Sequence, residues 1–330
     1  MVRSRLAKHL SMLLFLGGGW AGQKQSAPLE LWAKLPLPGV HGRLDRLAAD
    51  IDRGRLFVAA SADGSVQVLD VRHNAVLDPL RGLAEPHSIV YVKSSGRLFV
   101  SSAGDGTLRT YAGDTLKFVA SVRLGPNAGA VRWDAVCGRV YAGYGDGALA
   151  VLDSSGQRLG DIPLKAHPET FECAETQPRI FVNLPDSRTI AVVDCQRGLA
   201  VADWPVKDGR DNLPMAMDEA HQRLFVACRR PARLLVLAMD SGAVLARLPA
   251  AGGADDLLYD PIHARLYALS GEGHITAYAQ DTADRYRMAG DIATVAGARH
   301  GLFVPEWNRL FLAAPEFGGH PAEIRIYQPR

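Results

Sequence analysis

Seven times along the chain an arginine is followed by an aliphatic, an aromatic and a second aliphatic position. The copies are Arg55-Leu56-Phe57-Val58, Arg97-Leu98-Phe99-Val100, Arg139-Val140-Tyr141-Ala142, Arg179-Ile180-Phe181-Val182, Arg223-Leu224-Phe225-Val226, Arg265-Leu266-Tyr267-Ala268 and Arg309-Leu310-Phe311-Leu312. The steps from Arg to Arg are 42, 42, 40, 44, 42 and 44 residues. A short apolar run bounded by turn residues reads as a buried strand. A period of this length is that of one four-stranded propeller blade. The pattern therefore predicts an all-β, seven-bladed β-propeller with antiparallel four-stranded blades, each written A to D from the axis outward.

Each repeat divides accordingly. The segment before the arginine, such as Leu47-Ala48-Ala49-Asp50, is strand A, and the arginine motif is strand B. Turns such as Ala62-Asp63-Gly64-Ser65 and Gly104-Asp105-Gly106-Thr107 follow, with Asp-Gly supplying the positive φ that a tight hairpin needs. Strand C comes next, as in Val66-Gln67-Val68-Leu69-Asp70. Strand D often carries proline (Asp78-Pro79-Leu80, Ile162-Pro163-Leu164, Trp204-Pro205-Val206, Leu248-Pro249-Ala250), which suits an edge because proline cannot donate to a ladder. The seventh repeat stops at its strand C, Glu323-Ile324-Arg325-Ile326-Tyr327. An unassigned segment near the start, Leu31-Trp32-Ala33-Lys34-Leu35-Pro36-Leu37, matches Val244–Ala250 in pattern. It is expected to supply the missing strand D and close the ring, leaving one domain over residues 29–330 rather than the two that the length suggests. The regular aromatic is expected to fill space between blades. The regular arginine is expected to cover blade edges or pair with neighbouring acids.

Composition adds little to the fold but limits function. Of 330 residues, 48% are hydrophobic and 22% charged, with a net charge of +2, which argues against a strongly basic nucleic-acid binder or a disordered acidic chain. Arg3, Arg5 and Lys8, the apolar Leu10–Leu16 and the small residues around Gly19-Trp20-Ala21 follow the order of a secretory signal, placed at residues 1–22. That apolar run is shorter than the ~20 residues of a spanning helix, and no transmembrane segment follows. The expected location is periplasmic or secreted. The four cysteines, Cys137, Cys173, Cys195 and Cys228, include no C-x-x-C pair, so no zinc ribbon or c-type haem attachment is written. Disulfides and isolated thiols both remain open.

The phrases Arg-Leu-Phe-Val, Asp-Gly-x-x-x-Val-x-Asp and the final Glu-Ile-Arg-Ile-Tyr resemble the YVTN-type propellers, in particular exported YncE-like proteins, over residues 29–330. The resemblance implies a seven-bladed propeller in the periplasm or at the cell surface. It implies no settled activity; some relatives are thought to bind nucleic acid or other macromolecules. More distant seven-bladed relatives include lactonases, the haem propeller of nitrite reductase and subunits of quinoprotein dehydrogenases.

Candidate chemistry lies where the D–A loops and the starts of strand A converge, nine to fourteen positions before each repeat arginine. Blade one places His41, Arg43, Asp45 and Arg46 there, and blade two Glu85 and His87. Blade three places Asn127, blade four His167 and Glu169, and blade five Arg210, Asp211 and Asn212. Blade six adds Asp255 and Asp256, and blade seven Arg299 and His300. Unlike the arginine motif, these residues differ from blade to blade, as a site for an asymmetric ligand requires. The expected ligand-binding set is His41, Asp45, His87, Asn127, His167, Glu169, Asp211, Asn212, Asp255, Asp256, Arg299 and His300. Histidines with carboxylates can hold a divalent metal or move protons, and they also suit a water-filled channel. No H-E-x-x-H, P-loop, G-x-S-x-G or EF-hand sequence occurs, so no catalytic residue is assigned. Gly143-Tyr144-Gly145-Asp146-Gly147 reads as a hairpin turn rather than a phosphate cradle. Lys93, Arg109, Lys117 and Arg123 give blade two basic charge, but a nucleic-acid partner is not expected from that alone.

The resulting expectation is a non-catalytic binding or scaffold propeller, a monomer, engaging a small ligand or an envelope protein at the channel mouth. A metal-assisted, lactonase-like hydrolase using His41, Asp45, His87, His167, Glu169 and Asp255 is the alternative from another class. An accessory subunit of a periplasmic redox enzyme has fold analogy alone behind it. The cofactor is left open between none and a divalent metal, with no haem motif.

Overall fold

The computed structural model describes residues 27–250 and 252–330, so the expected secretory signal at 1–22 lies outside the described residues. The strands fall into seven four-stranded antiparallel sheets. Strand β1 is Leu29–Pro36, set aside for the last blade. Blade one is β2 (Leu44–Asp50), β3 (Arg55–Ala60), β4 (Ser65–Asp70) and β5 (Ala75–Arg81). Blade two is β6 (Pro86–Val92), β7 (Arg97–Ser102), β8 (Thr107–Ala112) and β9 (Phe118–Arg123). Blade three is β10 (Val131–Asp134), β11 (Arg139–Tyr144), β12 (Ala148–Leu152) and β13 (Arg158–Pro163). Blade four is β14 (Phe171–Cys173), β15 (Arg179–Leu184), β16 (Thr189–Asp194) and β17 (Leu199–Pro205). Blade five is β18 (Arg210–Asp218), β19 (Arg223–Arg230), β20 (Ala232–Ala238) and β21 (Val244–Pro249). Blade six is β22 (Ala254–Asp260), β23 (Arg265–Ser270), β24 (His274–Thr282) and β25 (Arg285–Ala293). Blade seven is β26 (His300–Val304), β27 (Arg309–Ala314) and β28 (Glu323–Pro329), completed by β1.

The closure runs from Leu29 opposite Pro329 to Pro36 opposite Glu323, with a bulge between Leu31 and Ala33. Leu37 N–H then donates to Ala322 O at 2.7 Å. Burial of Leu29, Leu35 and Leu37 gives this strand its hold. Among the described residues no helix is long and apolar enough to cross a membrane.

The repeat aromatics are buried, and each sits in the core between its own blade and the next. Phe57 packs with Ile89 and Leu98 of blade two, Phe181 with Met215 and Leu224 of blade five, and Phe311 with Leu44 and Leu56 of blade one. Seven such cores stand where a single central one would be in a two-layer fold. Several repeat arginines link the same neighbours. Arg179 donates to Met239 O at 3.0 Å and Arg223 to Asp284 at 2.7 Å, acceptors in the C–D turn of the following blade, and Arg265 donates to Pro28 O at 2.7 Å, just before the strand that closes blade seven. Arg55 reaches Gly113 O in the same way. Between blades three and four Arg139 donates to its neighbour Gly138 O. There a disulfide, Cys137–Cys195, joins the A–B turn of blade three to the C–D turn of blade four, with Cα atoms 6.2 Å apart. Cys173 is a half-buried free thiol and Cys228 a buried one.

In blades one, three, five and six the A–B turn is held by a buried aspartate five residues before the arginine. Asp260 Oδ1 accepts from the backbone N–H of Ile262 and His263, and His263 Nδ1 bonds Oδ2 at 2.8 Å. Asp218 is bonded by His221 in the same pattern, through N–H to Oδ1 and Nδ1 to Oδ2. Asp50 receives Arg55 and Arg53 on Oδ2. Asp134 receives Val136 and Cys137 N–H on Oδ1, at 2.8 and 3.1 Å, but its buried Oδ2 has no partner.

Candidate functional site

The ring brings four of the twelve expected residues into one group. Asp45 is fully buried and lies 3.6 Å from His87 and 3.3 Å from His300 Nε2, so blades one, two and seven meet on one carboxylate. Ser61 Oγ and Arg43 also donate to it. His300 Nδ1 is buried, has no hydrogen-bond partner and stands 3.8 Å from Asp256. Asp256 in turn accepts Arg46 Nη1 at 2.6 Å, and Arg46 Nη2 donates to Thr170 Oγ1 at 3.2 Å. Arg46 thus starts on blade one, bonds blade six and reaches blade four on the far side of the ring. Two positions further along their strands, Arg132 of blade three donates to Glu172 of blade four at 3.0 Å.

The other expected residues go elsewhere. His41 is exposed and bonds Glu316 at 2.7 Å, which raises its pKa. His167 donates Nδ1–H to Gly145 O at 2.6 Å and stands 3.9 Å from Glu169. Asp211 pairs with Arg230 of the adjacent strand β19. Asn212 is buried against Asn183, where it spaces blades four and five. Asn127 has a φ of 56° and shapes the loop before blade three. Asp255 accepts Gly271 N–H at 2.9 Å and an arginine bond from Arg229, and the Arg299 guanidinium lies close to Gly271.

Burial alone would push the Asp45 and Asp256 carboxyls up, but their partners more than reverse this. His300 and His87 hold Asp45 well below the usual carboxylate range, and Arg46 with His300 brings Asp256 down to about 2. Such a depressed folded-state pKa contributes stability that is present above the unfolded value and lost as pH falls through the folded one. For Asp256, between about pH 4 and about pH 2, the contribution at stake is about 2 kcal/mol. Urea midpoints at about pH 6 and about pH 2.5 should show this loss in the native sequence and a smaller one in Asp256→Asn. Equal losses in both proteins would remove Asp256 as a source of acid sensitivity.

The innermost strands line a cavity of about 650 Å³. Arg46, Asp256, Arg132 and Glu172 form its inner end. Its walls include the part-exposed Val90, Tyr91, Leu258 and Leu302 of the innermost strands, with Phe303 behind them. Its rim is made by the A–B turns through Glu175, Thr176, Glu219, Pro261 and Pro305. Of the twelve expected residues, Asp256 alone lines it. Arg132 and Glu172 lie seven positions before their repeat arginines, outside the expected window of nine to fourteen, and their shared level in adjacent blades was the available signal.

A metal requires several ligand atoms around one point. Among the described residues the one such group is Asp134, Cys137 and Cys195, whose ligand atoms lie within 4.8 Å of one another, and the two sulfurs are joined in the disulfide. Asp45, His87 and His300 share a carboxylate without converging in this way.

No family model matches the sequence, and no curated protein does. Solved structures do. A chain of Kuenenia stuttgartiensis hydrazine synthase superposes with a TM-score of 0.74 at 15% identity, covering 88% of this chain and 98% of the other. A chain of the mitotic checkpoint complex superposes with a TM-score of 0.77 at 12% identity, covering 99% of each. At these identities the likeness concerns the seven-bladed fold.

Proposed function

We propose that this propeller is a non-catalytic binding protein, acting as a monomer outside the cytoplasm and resembling the YncE-like, YVTN-type propellers. It takes a small amphiphilic ligand, or the apolar tip of an envelope protein, into the channel. The observation that carries this reading is the cavity of about 650 Å³, which has apolar walls and a charged inner end. That is the size and lining of a ligand pocket. The charges at its end are already paired, Arg46 with Asp256 and Arg132 with Glu172, so they orient a ligand rather than attack it. The interblade disulfide suits an oxidising compartment.

The test is thermal melting with a panel of amphiphilic small molecules, on the native sequence and on Leu302→Trp, which puts a large ring into the cavity. A ligand at a hundred times its Kd stabilises by about 2.7 kcal/mol, a rise of several degrees, and Leu302→Trp should lose it. Ligands that shift both proteins equally, or none that shifts the native one, would refute the reading. Turnover of a lactone panel that disappears in Asp45→Asn would replace it with the hydrolase.

A further inference from the structure

Asp134, Cys137 and Cys195 stand apart from the cavity and from the Asp45 group, and their geometry is unlike that of their counterparts in other blades. In blades five and six the second oxygen of the turn aspartate is bonded by the histidine three residues later, His221 on Asp218 and His263 on Asp260. In blade three the residue at that place is Cys137, and Asp134 Oδ2 is left buried without a partner. A buried polar atom without a protein partner is uncommon, and an ion is one of the partners that satisfies it. The second sulfur comes from the next blade, so the group draws on two sheets.

We propose that, once the disulfide is reduced, Asp134, Cys137 and Cys195 form a binding site for a thiophilic divalent cation, with Zn²⁺ as its natural occupant. The three ligand atoms already lie within 4.8 Å of one another. Two thiolates on one tetrahedral zinc sit about 3.7 Å apart, given Zn–S bonds of about 2.3 Å. Reduction need only let the sulfurs part to that spacing, and the Cα separation of 6.2 Å leaves room for it. The unpartnered Oδ2 supplies the third bond, and water the fourth. The chemistry balances in two steps. A dithiol reductant gives two electrons and two protons to the S–S bond and becomes a disulfide itself, leaving two Cys thiols. Zn²⁺ then displaces both thiol protons to solution as the two Zn–S bonds form. The junction between blades three and four is therefore joined either covalently or through the cation.

The experiment uses the folded chain treated with a phosphine reductant under argon, then titrated with Zn²⁺ against a chromophoric chelator and with Co²⁺ for its thiolate charge-transfer band. The expected result is one equivalent bound by the reduced protein and none by the oxidised protein. Asp134→Asn should weaken binding by about tenfold or more, Cys195→Ser should abolish it, and Cys173→Ser should leave it in place. Circular dichroism follows the fold in each state. A reduced protein that takes up no cation, folded or unfolded, overturns the proposal. Uptake that Asp134→Asn does not weaken, as an unfolded dithiol chain would show, overturns it equally.

Discussion

A chain beginning at Val40, lacking β1, is expected to lose cooperative folding as a monomer. β1 is the outer strand of blade seven, paired along β28 from Leu29 to Pro36. Deleting it exposes the faces that Leu29, Leu35 and Leu37 cover, and burial of three leucines is worth about 6 kcal/mol. That is comparable to the whole stability of an ordinary domain, about 5–15 kcal/mol. The loss does not stay local. Blade seven packs on blade one through Phe311, Leu44 and Leu56, so an unsupported last blade opens the ring at that core. Urea unfolding followed by circular dichroism and by gel filtration should show a broad transition or none. A synthetic peptide of residues 27–38 added in trans should restore part of the native transition. A truncated chain that unfolds at the native urea midpoint would show that the ring does not depend on this strand.

The second large effect belongs to Arg46. Replacing it by methionine leaves the Asp256 carboxylate buried without its main counter-charge, and breaking a buried pair in this way costs about 3–5 kcal/mol. For a chain of this length that is a fall in Tm of about 5–8 °C. Without Arg46 the balance at Asp256 turns toward burial, so its folded pKa rises. The sign of the pH dependence then reverses: the buried carboxyl binds its proton as pH falls, and the deficit of the variant narrows. Arg46→Met combined with Asp256→Leu should recover most of the loss, since an apolar pair of similar volume needs no counter-charge. A double variant as unstable as the single one would mean that the arginine contributes through packing rather than charge.

The fold was legible because its signal is repeated and local. The arginine–aromatic motif fixes strand B in every blade, the Asp-Gly turns fix the hairpins, and the prolines mark the edges. The orphan strand was legible too, because the Leu-Pro pattern of Leu35-Pro36 copies that of Leu248-Pro249. The site was legible only in part, for a physical reason. Sequence position gives a residue's height along the axis but not the length and direction of its reach. Asp45, His87, Asp256 and His300 meet because short side chains at one height lie close across neighbouring blades. His41, Asp211 and Asn212 share roughly that height but pair elsewhere. Arg46 was visible at the right height, yet nothing in the sequence says that it reaches blades six and four. The pairing of Cys137 with Cys195 was equally hidden, since it depends on which turns of adjacent blades come together.

Arg46 also ties together sheets that share no seam. Blade one packs directly on blades two and seven, yet the Arg46 guanidinium bonds it to blade six through Asp256 and to blade four through Thr170. A shift of one sheet is therefore felt by sheets with which it has no common core, and the wheel answers a local push as a braced frame does, across its diameter as well as around its rim.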